Sequence, residues 1–96
     1  MKESQFQQNL IRLLENEFPG CIVIKNDPNY IQGIPDLLVL FNDRWAALEV
    51  KADKRARLQP NQLYYIEQMD RMSYAAVVYP ANLEVVLNEL QQALRP

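Results

Sequence analysis

Three charged residues interrupt two apolar segments of this chain, and they limit how these segments can fold. Asp36 begins the segment DLLVLF, and Glu49 and Lys51 lie in the segment ALEVKA. Both segments predict strands, because apolar runs flank the charges and Asn42-Asp43 between them is typical of a turn. A charge in a strand that its apolar neighbours bury is costly unless it has a partner. The pattern therefore predicts that these three side chains interact with one another or with a ligand.

The length of the turn decides which of these side chains can meet. Residues two apart on a strand share a face, so Glu49 and Lys51 project together. If Asn42 and Asp43 are the two loop residues of a hairpin, Asp36 lies directly opposite Glu49, with Cβ atoms about 5 Å apart. Two carboxylates at that distance repel each other unless a positive group lies between them, and the candidates are Mg²⁺ and the Lys51 ammonium. A three-residue loop would send the carboxylates to opposite faces, so a shared site requires a loop of two or four residues.

The Pro-Asp pair, the short hairpin and the Glu-x-Lys tripeptide together resemble the signature of the PD-(D/E)XK nuclease superfamily. Gly33-Ile34-Pro35-Asp36 ahead of the hairpin, with a glutamine-bearing helix behind it, resembles the small VRR-NUC and phage-nuclease branch, which is related to the archaeal Holliday-junction resolvases. The resemblance extends from Glu3 to about Tyr79. It implies a restriction-endonuclease-like core and a phosphodiester hydrolase with Mg²⁺ as cofactor and Mn²⁺ as a substitute.

The same resemblance implies a role for each charged residue. Asp36 and Glu49 would bind Mg²⁺, and the carbonyl of Val50 would add a further ligand. Lys51 would orient or help to deprotonate the attacking water, and it would offset charge on the phosphate. Structural alternatives stay open: Asp36 as an ordinary turn aspartate, and Glu49 with Lys51 as an ion pair in an exposed strand.

A glutamate of the first helix is the remaining metal ligand that the resemblance implies, and it corresponds to Glu3. Glu3 lies on the stripe of Phe6 and Leu10, and Glu17 near the same face is its rival. The helix is expected to run back antiparallel to the first strand, which brings its N-terminus near Asp36. A helix of about fifteen residues is roughly 22 Å long, so Glu17 would be out of reach. The alternative for Glu3 is a frayed terminal residue that interacts with the helix dipole.

Gln62 is the residue that corresponds to the glutamine of the second helix. It lies in the first turn of a helix that begins at Pro60, and it shares a stripe with Ile66 and Met69, so it is expected to face inward. The resemblance implies contact with the attacked phosphate or with a water molecule at the metal, and a helix N-terminus itself favours phosphate. A capping or surface role is the alternative, and Gln59 is a weaker candidate for the same function.

Basic and aromatic residues are the candidates for further contacts with DNA. Lys54, Arg55 and Arg57 follow the site in a short basic connection, and Lys25 ends the first strand. A phosphate backbone requires such positive charge, but a solvated charged loop explains these residues equally well. The aromatic residues that could stack on bases are Trp45, Tyr64 and Tyr65. Aromatic residues at these spacings more often belong to the core, so we leave them out of the predicted site.

The composition excludes several kinds of active site. The chain has no histidine, which removes Ser-His-Asp and Cys-His catalysis and imidazole-ligated metals. Cys21 is the only cysteine, so neither an internal disulfide nor a cysteine-rich zinc site can form. The net charge of −2 argues against a sequence-independent DNA coat. Carboxylates, lysine, hydroxyls and a hard metal ion are left to carry any chemistry.

The length of 96 residues predicts a single domain, residues 1–96, with a modest core. No apolar run approaches the roughly 20 residues of a membrane span, and the polar start of the chain lacks the apolar centre of a signal peptide. We therefore expect no membrane partner and a cytoplasmic location, which the resemblance would place in a bacterial or phage-infected cell.

The order of predicted elements is α-β-β-β-α-β-α, which indicates an α/β (α+β) domain. The predicted elements are a helix over Glu3–Glu17, strands over Cys21–Lys25, Asp36–Phe41 and Arg44–Lys51, a helix from Pro60, a strand over Tyr74–Tyr79 and a final helix that Asn82 can cap. The predicted apolar stripes are Phe6, Leu10, Leu13 and Leu14; then Leu63, Ile66 and Met69; then Leu83, Val86, Leu87, Leu90 and Leu94. The first three strands predict an antiparallel meander, and the helix crossover before the fourth predicts a parallel neighbour. We expect a small mixed four-stranded sheet with flanking helices.

The leading interpretation is a Mg²⁺-dependent DNA endonuclease that is selective for Holliday junctions or other branched DNA and leaves 5′-phosphate and 3′-hydroxyl ends. The resemblance also implies a homodimer, because the junction-cutting relatives pair two protomers to cut twice. One alternative is a DNA-binding or assembly module that kept the fold and lost activity, against which intact Asp36, Glu49 and Lys51 argue. A second is a purely structural interaction protein, which leaves the aligned charges unexplained.

Overall fold

The computed structural model describes residues 1–96 as three helices, four strands and one short 3₁₀ turn in the predicted order. The elements are α1 (Glu3–Glu17), β1 (Ile22–Lys25), β2 (Leu37–Phe41), β3 (Arg44–Val50), α2 (Pro60–Met72), β4 (Ala75–Val78), the 3₁₀ turn (Pro80–Asn82) and α3 (Leu83–Leu94). The α/β class and the order α-β-β-β-α-β-α are confirmed. Each strand of the structure is one or two terminal residues shorter than the sequence predicts.

The four strands form one mixed sheet in the order β1-β2-β3-β4. β1 with β2 and β2 with β3 are antiparallel, whereas β3 and β4 are parallel, as the meander and the helix crossover predict. Phe41 pairs with Arg44, so the hairpin loop consists of Asn42 and Asp43 alone. Asn42 has φ 56°, a left-handed conformation that asparagine tolerates better than most residues. The two-residue loop that a shared carboxylate site requires is therefore present.

One face of the sheet packs on α1 and α3 and forms the core. The buried residues of these helices are Phe6, Leu10 and Leu14 in α1 and Val86, Leu90 and Leu94 in α3. Buried and half-buried residues alternate along β2, as expected for a strand with one face on the core. The stripes predicted for α1 and α3 are confirmed at these positions, with Leu13, Leu83 and Leu87 half-buried at the margin.

The other face of the sheet carries only α2, which contacts β3 and β4. No residue of α2 is buried, and Leu63, which was predicted on its inner stripe, is 46% exposed. The inner side of α2 consists instead of half-buried residues that include Gln62, Ile66 and Met69. The face of β1 and β2 on this side is left uncovered, and Ile22 and Ile24 are exposed there.

The start of α3 also differs from the prediction, because Asn82 makes no side-chain cap to the helix. Its side-chain oxygen accepts a hydrogen bond from the backbone N–H of Tyr79 at 2.8 Å, and its amide group donates one to the carbonyl of Val77 at 2.9 Å. Asn82 therefore stabilises the turn after β4 rather than the helix itself.

Candidate metal centre

Asp36 and Glu49 lie opposite each other on the sheet face that carries α2. Leu37 pairs with Leu48, so the same register extended by one residue places Asp36 across from Glu49. One carboxylate oxygen of Asp36, Oδ2, accepts a hydrogen bond from the backbone N–H of Val50 at 2.8 Å. This bond fixes the Asp36 side chain against β3, close enough to Glu49 to raise the pKa of that residue.

Glu49, Lys51 and Gln62 form a connected polar cluster beside Asp36. Lys51 Nζ lies 3.4 Å from Glu49 Oε2 and donates a hydrogen bond to Gln62 Oε1 at 3.3 Å. Gln62 Nε2 donates to the same Glu49 oxygen at 3.2 Å. The predicted inward orientation of Gln62 is therefore confirmed, and the first turn of α2 is joined directly to both charged residues of β3.

Gln62 also has the capping role that was its alternative interpretation. Its Oε1 accepts a hydrogen bond from the backbone N–H of Gln59 at 2.8 Å, and the Gln59 side chain accepts one from the backbone of Gln62. Such a reciprocal pair satisfies two free N–H groups at the start of a helix. The two roles support each other, because the cap holds the Gln62 side chain in the position from which it reaches Glu49 and Lys51.

Glu49 is the only charged residue buried in the protein, at 3% exposure, and its Oε1 atom has no hydrogen-bond partner. Burial, and second the neighbouring Asp36 carboxylate, raise the pKa of Glu49 from its ordinary value of 4.5 to about 7, against the opposing effect of the Lys51 ammonium. Native proteins rarely leave a buried carboxylate oxygen without a partner. Glu49 and Asp36 therefore share a deficit of positive charge, which either a proton or a cation can fill.

The donor set fits a small divalent cation. Mg²⁺ prefers oxygen ligands, keeps several waters and binds through one or two protein carboxylates. Asp36 and Glu49 supply two such carboxylates, and Val50, whose carbonyl is the further ligand that the resemblance implies, directly follows Glu49 in the chain. Nowhere in the structure do three or more carboxylate, cysteine or histidine side chains come together as a metal-binding group, so any cation here would take its remaining ligands from water or substrate.

Glu3 is not brought into a common group with Asp36 and Glu49. The direction of α1 agrees with the prediction: a cavity lined by Phe6 near its start is also lined by Pro80, which follows β4 at the end of the sheet where the site lies. Glu3 itself is exposed, and α1 packs on the face of the sheet opposite to the carboxylates. The rival Glu17 accepts a hydrogen bond from Gln91 at 3.5 Å and also stays outside the site.

Asn26 supports the candidate site and was not predicted from the sequence. Its backbone N–H donates a hydrogen bond to the carbonyl of Asp36 at 2.9 Å, and its side-chain amide donates one to the carbonyl of Pro35 at 2.8 Å. These two bonds hold the start of β2 in place, and with it the Asp36 side chain. In the sequence, the one indication of this role is an asparagine directly after β1. Nothing in the sequence specifies that its partner is Asp36, ten residues later.

Gly33 joins the loop before β2 to the start of α2. Its φ is 93°, and an added Cβ atom would lie 2.7 Å from Cγ and 2.8 Å from Cβ of Asn61. Both the positive φ and the lack of space require glycine at this position. The close approach fixes the loop, Asn61 and the adjacent Gln62 relative to Asp36.

The predicted DNA contacts lie on exposed surface. Lys54, Arg55 and Arg57 are exposed in the connection between Lys51 and α2, and Lys25 is exposed at the end of β1. A cavity of about 420 Å³ beside the connection is lined by Ala52, Asp53, Lys54, Arg55, Pro80 and Ala81. Arg55 makes an exposed contact of 3.7 Å with Asp53, which contributes little to stability and leaves its charge open to a phosphate.

The aromatic residues excluded from the predicted site differ from one another. Trp45 and Tyr65 are half-buried, in keeping with a role in packing, whereas Tyr64 is 57% exposed. Tyr64 and Tyr65 make an edge-to-face contact with ring centroids 5.1 Å apart. The expectation of a core position is therefore wrong for Tyr64, which lies on the outer side of α2.

Comparison with known families and with curated proteins does not place the chain in any of them. No protein-family model matches the sequence, and no curated protein matches it either. None of the three helices combines the length and the apolar composition that crossing a membrane requires. Conclusions about function therefore depend on the geometry of Asp36, Glu49, Lys51 and Gln62.

Proposed function

We propose that this protein is a Mg²⁺-dependent DNA endonuclease of the PD-(D/E)XK type that acts on branched DNA. The observation that carries the proposal is the opposed pair Asp36 and Glu49, with one buried oxygen unpaired and with Lys51 on the same face. A purely structural ion pair would need no second carboxylate and would leave no orphaned oxygen. The order Pro-Asp, hairpin, Glu-x-Lys, helical Gln is the one that the superfamily resemblance implies.

Each residue of the cluster has a separate task in phosphodiester hydrolysis. Asp36 and Glu49, with the carbonyl of Val50, would hold Mg²⁺, which when bound supplies a Lewis acid for the phosphate and a means to activate water. Lys51 orients the attacking water and offsets the negative charge that develops on the phosphate. Gln62 holds Lys51 in place. It also lies in the first turn of α2, and the positive N-terminal end of this helix favours a phosphate nearby. Water attacks phosphorus, the bond to the 3′-oxygen breaks, and that oxygen takes up a proton, which leaves 5′-phosphate and 3′-hydroxyl ends.

The proposal includes a homodimer, because a single small domain has one site and symmetric cutting of a junction needs two. The uncovered sheet face supports this: a cavity of about 360 Å³ there is lined only by the apolar residues Leu38, Leu40, Trp45, Met69 and Met72. A surface without charge does not attract DNA, but it can meet a second copy of itself without repulsion. Sedimentation equilibrium distinguishes the mass of two chains from that of one.

Cleavage of a labelled four-way junction, with a linear duplex of the same sequence for comparison, tests the proposed activity. We expect cutting in Mg²⁺ or Mn²⁺ and none in EDTA, with the junction preferred. Lys51→Ala should bind the junction normally but cut it at least about 100-fold more slowly at saturation, since lysine acts at the attacked phosphate. Binding without cleavage in either metal would instead indicate the inactive DNA-binding module.

The basic connection provides a prediction about the path of DNA. Replacing Lys54, Arg55 and Arg57 with glutamine should weaken binding and lower the slope of log affinity against log salt by about 0.9 for each lost phosphate contact. Cleavage at saturating DNA should change little, because these residues lie outside the polar cluster. The salt dependence of binding, measured by fluorescence anisotropy, checks this.

A matched control separates local contacts from overall charge. Replacing Lys2, Arg12 and Arg71, which are also exposed, with glutamine changes the net charge by the same amount on α1, its N-terminal flank and the last turn of α2. If both triple variants lower the slope equally, the effect is one of net charge alone, and DNA does not follow the basic connection.

A further inference from the structure

A preformed cavity of about 400 Å³ lies beside the carboxylate pair in the loop between β1 and β2. It is lined by Asn26, Asp27, Tyr30, Ile31 and Ile34. Asn26 is the residue that bonds to the carbonyl of Asp36, and Ile34 precedes Asp36 by two positions. The cavity is therefore next to the site but separate from it, and none of the proposed catalytic residues lines it.

The loop around the cavity is held rigid by its own hydrogen bonds. The Asp27 carboxylate accepts from the backbone N–H of Asn29 at 2.8 Å, and its carbonyl accepts from Tyr30 at 3.1 Å and Ile31 at 3.4 Å. The other end of the loop is fixed where Gly33 packs on Asn61. A rigid loop loses little conformational entropy when it binds a ligand.

Tyr30 is the most exposed aromatic residue of the protein, at 85%. Its ring lies at the cavity, and the apolar side chains of Ile31 and Ile34 lie there with it. Exposing a large ring in this way forgoes the stabilisation that burial of an aromatic side chain provides. A rigid loop that presents such a ring next to a polar site indicates a surface for a flat ligand whose face can stack on the ring.

Charge decides against a phosphate as that ligand. No lysine or arginine lines the cavity, and the exposed Asp27 carboxylate would repel an anion. The amide group of Asn26 and the Oδ1 atom of Asp27 already make hydrogen bonds within the loop, and the Oδ1 atom of Asn26 and the Oδ2 atom of Asp27 remain as acceptors of the kind that pair with the amino groups of bases. The basic connection with Lys54 and Arg55 lies on the other side of the site, so a strand held there by its phosphates would bring its next nucleotides to this loop.

We propose that the Asn26–Ile34 cavity binds an unpaired nucleobase of the DNA strand next to the cleaved phosphate, with Tyr30 as the stacking surface. The inference rests on the proposed function, because that function supplies the path of the DNA strand from the basic connection past the cleaved phosphate to the cavity. A base inside a duplex must leave its stack to enter such a cavity, which costs a few kcal/mol, whereas an unpaired base at a branch point enters without that cost. The cavity would thus supply the preference for branched over linear DNA.

Binding measured in EDTA, where no cleavage can occur, tests the cavity directly. The probes are a linear duplex and the same duplex with a two-nucleotide bulge, with 2-aminopurine at the unpaired position. Stacking of one base on an aromatic residue commonly changes affinity by about 5- to 100-fold, so Tyr30→Ala should raise the Kd for the bulged probe by a factor in that range and the Kd for the duplex less than twofold. The wild-type protein should quench 2-aminopurine fluorescence, and Tyr30→Ala should not.

Two further variants exclude simpler explanations. Tyr30→Phe keeps the ring and should retain both the affinity and the quenching, so its loss of either would overturn the stacking role. Tyr64→Ala removes another exposed tyrosine, on α2, and should leave the ratio of the two Kd values unchanged. If Tyr30→Ala weakens both probes equally, or weakens neither, the cavity does not select unpaired bases and is left for another ligand, such as a peptide.

The test also distinguishes this inference from the proposed function. If the protein cleaves DNA but Tyr30→Ala does not change the ratio of the two Kd values, the inference about the cavity is overturned and the proposed nuclease stands. If Tyr30→Ala changes the ratio of the two Kd values but the protein does not cleave DNA in Mg²⁺ or Mn²⁺, the inference about the cavity stands and the proposed nuclease is overturned. A protein that binds neither probe in EDTA and cuts no junction in Mg²⁺ or Mn²⁺ overturns both.

Discussion

Asp36→Asn and Glu49→Gln should each lower Mg²⁺-dependent cleavage of junction DNA by about 100-fold or more, while the fold survives. Each change removes a negative charge that would hold the cation, and losing one electrostatic contact to a reaction centre typically costs that much in rate. The hydrogen bonds are kept: an asparagine oxygen can still accept from the N–H of Val50, and a glutamine oxygen from the amide of Gln62. Single-turnover cleavage and calorimetric titration with Mg²⁺ measure the two losses.

Control variants make the same chemical change where no metal is expected. Asp43→Asn in the hairpin turn and Glu67→Gln on the outer side of α2 alter exposed carboxylates, and both should cut DNA at the rate of the wild-type protein. Circular dichroism and thermal unfolding show whether each variant is folded. Full activity of folded Asp36→Asn or Glu49→Gln would remove these residues from any metal site.

The hairpin illustrates what local sequence determines. Two apolar segments with Asn-Asp between them leave few ways to form a tight turn, and the period of two along a strand then fixes which side chains share a face. The opposition of Asp36 and Glu49 follows from that register, which pairs Phe41 with Arg44. Because these residues are joined by a short connection, no knowledge of the rest of the fold was needed to place them.

The residues that support the site depend on tertiary structure. Gln62 faces Glu49 only because the crossover lays α2 across β3 and β4, and the sequence indicated its inward side but not its partners. Asn26 and Gly33 act through backbone groups of Pro35 and Asp36 and through Asn61, and side-chain periodicity carries no information about such contacts. Leu63 shows the same limit, since an apolar stripe predicts burial only if a second layer covers it.

Glu3 shows that the direction of an element is easier to predict than the contacts of its ends. Chain connectivity correctly brings the start of α1 toward the end of the sheet where the site lies. It does not specify the layer, and α1 packs on the core face together with α3. Glu3 is exposed at the start of α1 and forms no common group with the two carboxylates, which residue spacing along α1 could not reveal.

The pH dependence of stability in metal-free buffer should be governed in large part by Glu49. Its pKa is about 7 in the folded protein against an ordinary 4.5, so the folded state keeps a proton that the unfolded state has already released. The free energy of unfolding should therefore fall as the pH rises from about 4.5 to about 7. The pKa difference corresponds to about 3 kcal/mol of stability at most.

Glu49→Gln isolates this effect, because glutamine resembles the protonated acid and does not titrate. In EDTA the variant and the wild-type protein should have similar free energies of unfolding near pH 4, and the variant should be the more stable by up to about 3 kcal/mol at pH 8. Urea denaturation at a series of pH values measures the difference. Glu67→Gln should follow the wild-type curve at every pH, and a constant difference between Glu49→Gln and wild type would show that Glu49 does not titrate in this range.

The same proton should compete with Mg²⁺ for the site. A cation between Asp36 and Glu49 requires both carboxylates to be ionised, and in the folded protein one of them holds a proton below about pH 7. Adding Mg²⁺ at pH 8 should therefore raise the free energy of unfolding of the wild-type protein, whereas at pH 5 the same concentration should have little effect. Glu49→Gln should show no stabilisation at either pH. Equal stabilisation of wild type and variant would mean that Mg²⁺ binds elsewhere, and that the buried oxygen of Glu49 is satisfied by the proton alone.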